Sequence, residues 1–294
     1  MQLTGYRTAI PLLFVFLWST GFIGAKGGLP YSEPFTFLAI RMALTVGVIF
    51  CLLPFFKPVW PKTFIAYFHI AIVGILVHGI YLGGVFAAID RGMSAGISAM
   101  IVGLQPALTA ILAALWLKEK LTFIKVLGLL VGLAGVMMVV FDPDNMANGG
   151  GWIAVVLVTA SLIGISAGTV YQKKFCSNYD LLAGICIQYL ANGLFMLTLA
   201  LILEQRVVEW TGQFLISLLW LVLVLSIGAV LLLMWLIRIG ESSHVASLFY
   251  LVPPCVAIQA WLLFGETFSV TDAIGLTLCV LGVALVVRPN SVKN

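Results

Sequence analysis

Charged residues are scarce in this sequence. Only 9% of its 294 residues are Asp, Glu, Lys or Arg, whereas 62% are hydrophobic. A soluble domain carries about 25% charged residues, because its surface faces water. The scarcity of charge therefore excludes an ordinary soluble protein and predicts that most of the outer surface faces lipid.

Several motifs are also missing. The sequence contains no GxxxxGK[ST] motif, which excludes an ATP-driven pump of the Walker type, and no HExxH motif. Its five cysteines show no CxxC or other metal-ligand spacing, so we interpret them as small residues of the membrane core. We therefore expect no metal, no cofactor, no enzymatic activity and no nucleic-acid partner.

Long apolar runs are what the chain does contain. A helix needs about 20 apolar residues to cross a membrane, and lipid offers no hydrogen bonds to irregular backbone. The runs lack the strict alternation of barrel strands, so the predicted fold class is an all-α integral membrane protein with ten transmembrane helices. The predicted spans are 7–28, 33–56, 63–89, 93–117, 121–141, 151–172, 180–203, 212–237, 242–264 and 269–288.

The distribution of basic residues predicts the orientation. With a cytoplasmic N-terminus, 11 of the 15 basic residues fall on the inner side and only Lys26, Arg91 and Arg206 on the outer side. Most acidic residues fall on the outer side. Because cytoplasmic loops of membrane proteins are enriched in Lys and Arg, we expect a multi-pass inner (plasma) membrane protein with both termini in the cytoplasm.

The two halves of the chain resemble each other. A shift of 147 residues aligns residues 104–140 with 251–287 at 13 identical positions of 37, among them Pro106 with Pro253 and Glu119 with Glu266. The predicted repeats are residues 1–147 (spans 1–5) and 148–294 (spans 6–10). Since five is an odd number, the second repeat enters the membrane from the opposite side. Such inverted repeats suit alternating access.

These features resemble a known family. Ten helices in two halves, the segment Trp18-Ser19-Thr20-Gly21-Phe22, and a Glu that closes helices 4 and 9 before a Gly-rich helix are similar to the drug/metabolite transporter superfamily, in particular its EamA branch. The resemblance implies a secondary carrier, often an exporter of amino acids and related metabolites. It also implies a central cavity lined by helices 1, 3, 4, 6, 8 and 9.

Polar residues near the midplane are the candidates for substrate binding, because carrier sites usually lie there. Counting along each span at about 1.5 Å per residue selects them. An alternative is that these side chains only join helices or pack the core. The predicted substrate-binding residues are Trp18, Ser19, His78, Tyr81, Gln105, Ser166 and Tyr250.

Prolines and glutamates at corresponding positions of the two halves are candidates for gating. Pro106, and Pro253 with Pro254, interrupt helices 4 and 9, since proline removes a backbone donor and bends a helix. Glu119 and Glu266 end the same two helices at opposite faces. A packing kink and a solvated helix end are the structural alternatives.

Arg41 lies inside the second span. It could pair with a carboxyl group of the substrate, with Glu33, or with backbone carbonyls. Helix 2 is not among the expected cavity helices, so a structural role is favoured, as it is for Gln188 and Asn192. Gly128, Gly132 and Gly135, and Gly275 and Gly282 of the second half, predict close packing of helices 5 and 10.

The predicted function is secondary transport. No Asp or Glu lies at the midplane, so we expect a small neutral or zwitterionic substrate such as an amino acid. The family resemblance implies that this substrate is exported. The expected partners are that substrate and the lipid bilayer, with the protein a monomer or homodimer. An intramembrane lipid-modifying enzyme and a non-transporting membrane receptor or subunit are the alternatives.

Overall fold

The structure is a computed structural model that describes residues 3–119, 122–230, 232 and 248–287. Nearly all of these residues are helical, as the composition predicts. Two segments, Ile75–Ile80 and Trp220–Ala229, form wider π-helical turns. The α-helices are α1 (Leu3–Gly28), α2 (Pro34–Phe56), α3 (Phe64–Gly74), α4 (Tyr81–Asp90), α5 (Ala95–Val102), α6 (Gln105–Leu117), α7 (Phe123–Val140), α8 (Pro143–Asn148), α9 (Gly151–Phe175), α10 (Leu181–Leu203), α11 (Gly212–Leu219), α12 (Val252–Phe264) and α13 (Val270–Val287).

Local sequence sets many helix ends. The side chains of Ser94, Asp180 and Thr211 accept hydrogen bonds from backbone N–H groups of the first turns of α5, α10 and α11. These bonds satisfy donors that a helix start leaves open. Gly265, with φ of 65°, ends α12 in the left-handed conformation that glycine adopts without steric cost.

Eight helical segments of the described residues are long and apolar enough to cross a membrane. Three of them combine shorter elements: Phe64–Asp90, Ala95–Leu117 and Gly212–Ala229. Val252–Phe264 and Val270–Val286 are shorter apolar helices. The predicted eighth and ninth spans, 212–237 and 242–264, lie partly outside the described residues. Short helix α8 falls within the central connector, where the sequence analysis predicted no helix.

The fourth span is broken next to its proline, as expected. Helix α5 ends at Val102, and α6 begins at Gln105 with Pro106 in its first turn. A 3-10 turn, Phe249–Leu251, precedes α12 and its Pro253 in the same way. Both interruptions fit the helix-breaking chemistry of proline.

One end of the bundle carries the connectors 29–33, 91–94, 141–150, 204–211 and 265–269. Glu33 accepts hydrogen bonds from the backbone of Gln205 and Val207, and Asn145 donates to Asp272 over 2.8 Å. We call this the acidic end, and the opposite end, which carries the connectors 57–63 and 176–180, the basic end. The acidic end carries Glu33, Asp90, Asp142, Asp144, Glu204, Glu209, Glu266 and Asp272; the basic end carries Lys57, Lys62, Lys118, Lys125, Lys173 and Lys174.

Helices α7 and α13 touch through their backbones. A Cβ atom on Gly135 would lie 2.5 Å from the carbonyl oxygen of Gly275, and one on Gly128 would lie 2.5 Å from that of Gly282. The early glycine of each helix meets the late glycine of the other, so the helices run antiparallel. Glycine is required here because any side chain would push the helices apart.

Helix bounds recur in the two halves. The first and last residue numbers of three helices in the first half, each increased by 147, are the bounds of three helices in the second half. The chain is thus divided into these helices in the same way in both halves. The pairs are Pro34–Phe56 with Leu181–Leu203, Gln105–Leu117 with Val252–Phe264, and Phe123–Val140 with Val270–Val287.

Substitution of Gly135 tests the α7–α13 contact. We expect Gly135→Ala to lower the melting temperature of the purified protein in detergent, because the new methyl group would meet backbone that cannot move aside, and overpacking typically costs about 1–3 kcal/mol. Gly47→Ala on α2 is the matched control, since no atom lies within 4 Å of its Cβ position. Alanine favours helix by about 1 kcal/mol over glycine, so the control should be neutral or stabilising. Equal melting temperatures for both variants would contradict the contact.

Candidate functional site

A small cavity lies inside the bundle. Its volume is about 90 Å³, and its walls come from α1, α2, the span Phe64–Asp90, α9, α10 and the π segment Trp220–Ala229. We call it the central cavity. Apolar side chains form most of its wall, among them Phe22, Val85 and Leu225. Its polar and aromatic lining residues are Trp18, Arg41, His78, Tyr81, Tyr189 and Ser226.

Two further spaces share walls with the central cavity. One of about 30 Å³ lies beside the broken α5–α6 span and shares Trp18 and Tyr81. Another, of about 300 Å³, shares Ser226 and Val230 and extends between α2 and α10 to Pro58 and Asp180 at the basic end. We call the second one the branch. The internal space therefore continues from the central cavity through the branch toward the basic end.

Both π-helical segments contribute polar groups to the central cavity. His78 lies on Ile75–Ile80, and Ser226 lies on Trp220–Ala229. A π turn changes the direction of side chains relative to an α-helix, and such turns are frequent at functional sites. The His78 ring packs against Tyr189 with centroids 4.7 Å apart.

Arg41 and Ser226 form the most polar contact in the wall. The guanidinium group of Arg41 donates from Nε and Nη2 to the hydroxyl of Ser226, over 3.3 and 3.0 Å. Tyr189 donates its hydroxyl to the carbonyl of Ser226 over 3.3 Å. Arg41 is only 4% exposed. A permanently charged group is thus held inside the bundle by hydrogen bonds to one serine hydroxyl.

The predicted binding residues are placed in three ways. Trp18, His78 and Tyr81 line the central cavity, and Gln105 lines the 30 Å³ space, where its amide donates to Thr169 over 3.4 Å. The backbone of Tyr250 belongs to a 3-10 turn, and its side chain is outside the described part. Their roles in binding remain predictions.

Ser19 and Ser166 lie between helices rather than in the cavity wall. Ser19 is fully buried, donates to the carbonyl of Phe16 over 2.7 Å and accepts from Gln259 of α12 over 2.8 Å. Ser166, also fully buried, lies 3.5 Å from the carbonyl of Gln105. In this structure both hydroxyls join helices, and their contact with a substrate remains a prediction.

Two of the three predicted gating prolines line the 30 Å³ space. They are Pro106 and Pro253, in the first turns of α6 and α12. Pro254 follows Pro253 in the first turn of α12. The two interruptions thus border the same internal space, and their part in gating stays a prediction.

The two glutamates form corresponding ion pairs at opposite ends. At the acidic end, Lys26 of α1 contacts Glu266, whose carboxylate also accepts from the backbone of Ala95 over 2.9 Å. At the basic end, Lys173 of α9 contacts Glu119 over 2.6 Å. Increasing the numbers of Lys26 and Glu119 by 147 gives Lys173 and Glu266. The same shift of 147 residues that aligns the two halves therefore also relates the residues of one ion pair to those of the other.

The two ion pairs differ in exposure. The Lys26 and Glu266 side chains are 29% and 7% exposed, whereas those of Lys173 and Glu119 are 64% and 43% exposed. A buried pair is screened far less by water and salt than an exposed one. The ion pair at the acidic end is therefore expected to be the stronger of the two.

Aromatic residues fill the space between the central cavity and the acidic end. Phe86 lines the cavity and meets Phe37 with centroids 5.5 Å apart, and Phe37 meets Phe214 at 5.1 Å. All three are almost fully buried. Glu204 accepts from the backbone of Phe35 and Thr36, each over 2.7 Å, which fixes the start of α2 above this layer.

Sequence reasoning missed part of the cavity wall. Arg41 was assigned a structural role because helix 2 was not expected to line the cavity, and Tyr189 on α10 was not considered. Arg41 does not contact Glu33; the Glu33 carboxylate accepts from the backbone of Gln205 and Val207 instead. The available signal was that Arg41 is the single charged residue within α2.

Known proteins resemble this chain over nearly its whole length. The EamA-like transporter family matches residues 8–141 and 152–288. The chain is 31% identical to the uncharacterized transporter YvbV of Bacillus subtilis, over 97% of this chain and 93% of that protein. It is 26% identical to the uncharacterized inner membrane transporter YedA of Escherichia coli strain K12, over 96% and 92% of the two chains.

Two further similarities are more distant. The S-adenosylmethionine/S-adenosylhomocysteine transporter of Chlamydia muridarum is 25% identical over 95% of this chain and 91% of its own. One crystal structure superimposes with a TM-score of 0.66 and 19% identity, over 96% of each chain. At that identity the superposition establishes the fold alone.

The two histidines of the described residues provide a matched test of the central cavity. We expect His78→Ala to weaken or abolish the thermal stabilisation that a bound small molecule gives, because His78 lines the cavity and a ligand stabilises only the state that binds it. His69→Ala should retain it, since His69 stacks on Phe175 and contacts Tyr171 away from the cavity. The measurement is a thermal-shift screen of both purified variants and the natural protein against amino acids and common metabolites. Equal stabilisation of all three would remove His78 from the site.

Proposed function

Because the chain belongs to the EamA-like transporter family and is a membrane transporter, we propose that it exports small zwitterionic metabolites such as amino acids by alternating access. In this proposal ten helices form two inverted repeats, residues 1–147 and 148–294, around the central cavity. The observation that carries the proposal is the pair of repeat-related ion pairs, Lys26–Glu266 and Lys173–Glu119, at opposite ends of the bundle.

Several observations support the inverted repeat. The family matches each half of the chain, and the bounds of α2, α6 and α7 recur 147 residues later. The contacts also follow the repeat. Gly135 meets Gly275 and Gly128 meets Gly282, so each contact becomes the other when the halves are exchanged. Exchange of two similar halves gives two equivalent conformations that open in opposite directions.

The charge distribution supports one orientation. Lysines dominate the basic end and carboxylates the acidic end. Under the positive-inside rule, the basic end and both termini face the cytoplasm, and the acidic end faces outward. The inner membrane is the expected location, in keeping with the name of the Escherichia coli relative.

The two ion pairs act as alternating gates in this mechanism. The buried pair Lys26–Glu266, the backbone bonds to Glu266 and the layer of Phe37, Phe86 and Phe214 close the acidic end. The pair Lys173–Glu119 is exposed, and the branch extends from Ser226 toward the basic end. The conformation is therefore assigned as closed to the outside, with substrate entering from the cytoplasm.

The proposed substrate follows from the cavity and from one relative. The wall combines aromatic and aliphatic side chains with a few polar groups, as a site for a small amphipathic solute requires. A relative is named as a transporter of S-adenosylmethionine and S-adenosylhomocysteine, both of which contain an amino acid group. An amino acid or a related metabolite fits both observations.

Cysteine labelling tests alternating access without a known substrate. The reporter is Val77→Cys in the central cavity of a chain whose five native cysteines are replaced, treated with a membrane-impermeant maleimide on sealed membranes of each orientation. We expect Glu266→Gln to increase labelling from the outside, because it removes the charge that holds Lys26. Glu119→Gln is the matched variant at the corresponding position and should decrease it.

Labelling from the cytoplasmic side should change in the reverse sense for each variant. Equal labelling of all variants from both sides, or no labelling from either, would contradict alternating access. Export is tested separately by comparing the efflux of radiolabelled amino acids from vesicles of the two orientations. Flux only into the cytoplasmic compartment would reverse the proposed direction.

A further inference from the structure

We propose that Arg41 binds a carboxylate of the transported substrate, so that the carrier accepts small carboxylates with an apolar body and rejects their uncharged amides. This inference rests on the proposed transport function and specifies its substrate class. It comes from one feature of the central cavity, a buried guanidinium group with an unused donor.

The donor is Nη1 of Arg41. The Nε and Nη2 atoms bond to Ser226, whereas Nη1 is buried without a hydrogen-bond partner among the described residues. An unmade hydrogen bond on a buried charged group costs more than one on a neutral group. Arginine stays charged in proteins, so the group cannot escape this cost by losing its proton. A ligand acceptor in the cavity would satisfy it.

The charge of Arg41 also lacks a counter-charge nearby. Among the described residues that line the central cavity and the branch, the single carboxylate is Asp180, which lies at the basic end and caps α10 through Ala183. Glu33 and Glu204 are bonded to connector and helix backbone at the acidic end. An unpaired charge in a low-dielectric interior is strongly unfavourable. A substrate carboxylate would supply the negative group that the described residues around Arg41 lack.

A carboxylate suits this geometry. Ser226 occupies the Nε–Nη2 edge of the guanidinium group, so a carboxylate oxygen would accept a charge-assisted hydrogen bond from the unused Nη1. The central cavity, at about 90 Å³, is the smaller of the two connected spaces and is the one that Arg41 lines, so it would take the charged head group. The branch of about 300 Å³ adjoins at Ser226 and is lined by Ile49, Leu52 and Ile185. A carboxylate at Arg41 with an apolar body in the branch would fill both.

The repeat indicates that Arg41 serves more than architecture. The corresponding residue of the second half is Gln188, which is buried at the contact of α10 with Gly74. The ion pairs and the packing glycines recur in both halves, but the charge at this position occurs in one half only. A residue needed solely for the framework would be expected in both copies. We therefore expect Arg41 to serve substrate binding in the cavity that both halves line.

The test uses matched ligands with the purified full-length protein. Leucine, methionine and phenylalanine are each compared with the corresponding amide and amino alcohol, which keep the body and the amino group but lack the carboxylate. Binding is measured by thermal shift over a concentration series. We expect the amino acids to stabilise the protein. Their amides and alcohols should bind at least about 10-fold more weakly, since a charge-assisted hydrogen bond contributes about 1.5–3 kcal/mol.

Variants connect this selectivity to Arg41. Arg41→Gln should lose the preference for the carboxylate, and Arg41→Lys, which keeps the charge but not the fork, should retain part of it. Arg91→Gln is the matched control, because it removes the same charge from an exposed connector and should keep full selectivity. Since Arg41→Gln also removes a buried unpaired charge, its melting temperature without ligand should equal or exceed that of the natural protein.

Three results would overturn the inference. These are equal binding of the acids and amides by the natural protein, undiminished carboxylate preference in Arg41→Gln, and absence of binding by all three amino acids. Failure of the transport proposal has a different signature. In that case carboxylate binding through Arg41 persists while the Val77→Cys labelling is the same from both sides in every gate variant.

Discussion

The hydrocarbon core of a bilayer offers no hydrogen bonds to protein, and this constraint determines both the backbone structure and the placement of charge in this molecule. Backbone groups inside a bilayer must be satisfied by the chain itself, which leaves helices as the structure for long apolar segments. Within the membrane-spanning segments, the described chain departs from regular α-helix beside the internal spaces. The π turns at His78 and Ser226 and the break at Pro106 all border the internal spaces. Irregular backbone and polar side chains therefore occur together, at the proposed site.

The same constraint decides where charge can lie. Carboxylates are concentrated at the acidic end, where Glu33, Glu204 and Glu266 accept hydrogen bonds from backbone N–H groups of neighbouring segments. These bonds join distant parts of the chain and would have to break if that end opened. The numbers of Lys26 and Glu119, each increased by 147, give Lys173 and Glu266, so in the proposed mechanism closing one end and opening the other would exchange similar contacts. The two conformations would then differ little in free energy, as a carrier needs.

Arg41 departs from this arrangement. It is a charged group held inside the bundle, bonded to Ser226 and without a carboxylate partner among the described residues. Natural proteins tolerate such destabilising groups mainly where function requires them. The ion pairs and packing glycines recur after a shift of 147 residues, whereas the charge of Arg41 does not. In the proposed mechanism the recurring contacts would allow movement, and Arg41 would recognise the substrate. Trp18, Tyr81 and the surrounding aliphatic wall then contribute shape and exclude water.

The sequence by itself determined the helical membrane character and, for the described residues, most helix bounds to within a few residues, and it predicted two corresponding halves. These follow from composition, apolar length and local breakers, which act over short stretches of chain. Trp18, His78 and Tyr81, three of the binding residues that the sequence predicted, line the central cavity. Only the tertiary structure decided that Arg41, Tyr189 and Ser226 share one cavity, that Ser19 bonds to Gln259, and that Lys26 pairs with Glu266. Those contacts depend on the rotation of each helix about its axis, which is fixed by packing between helices distant in sequence.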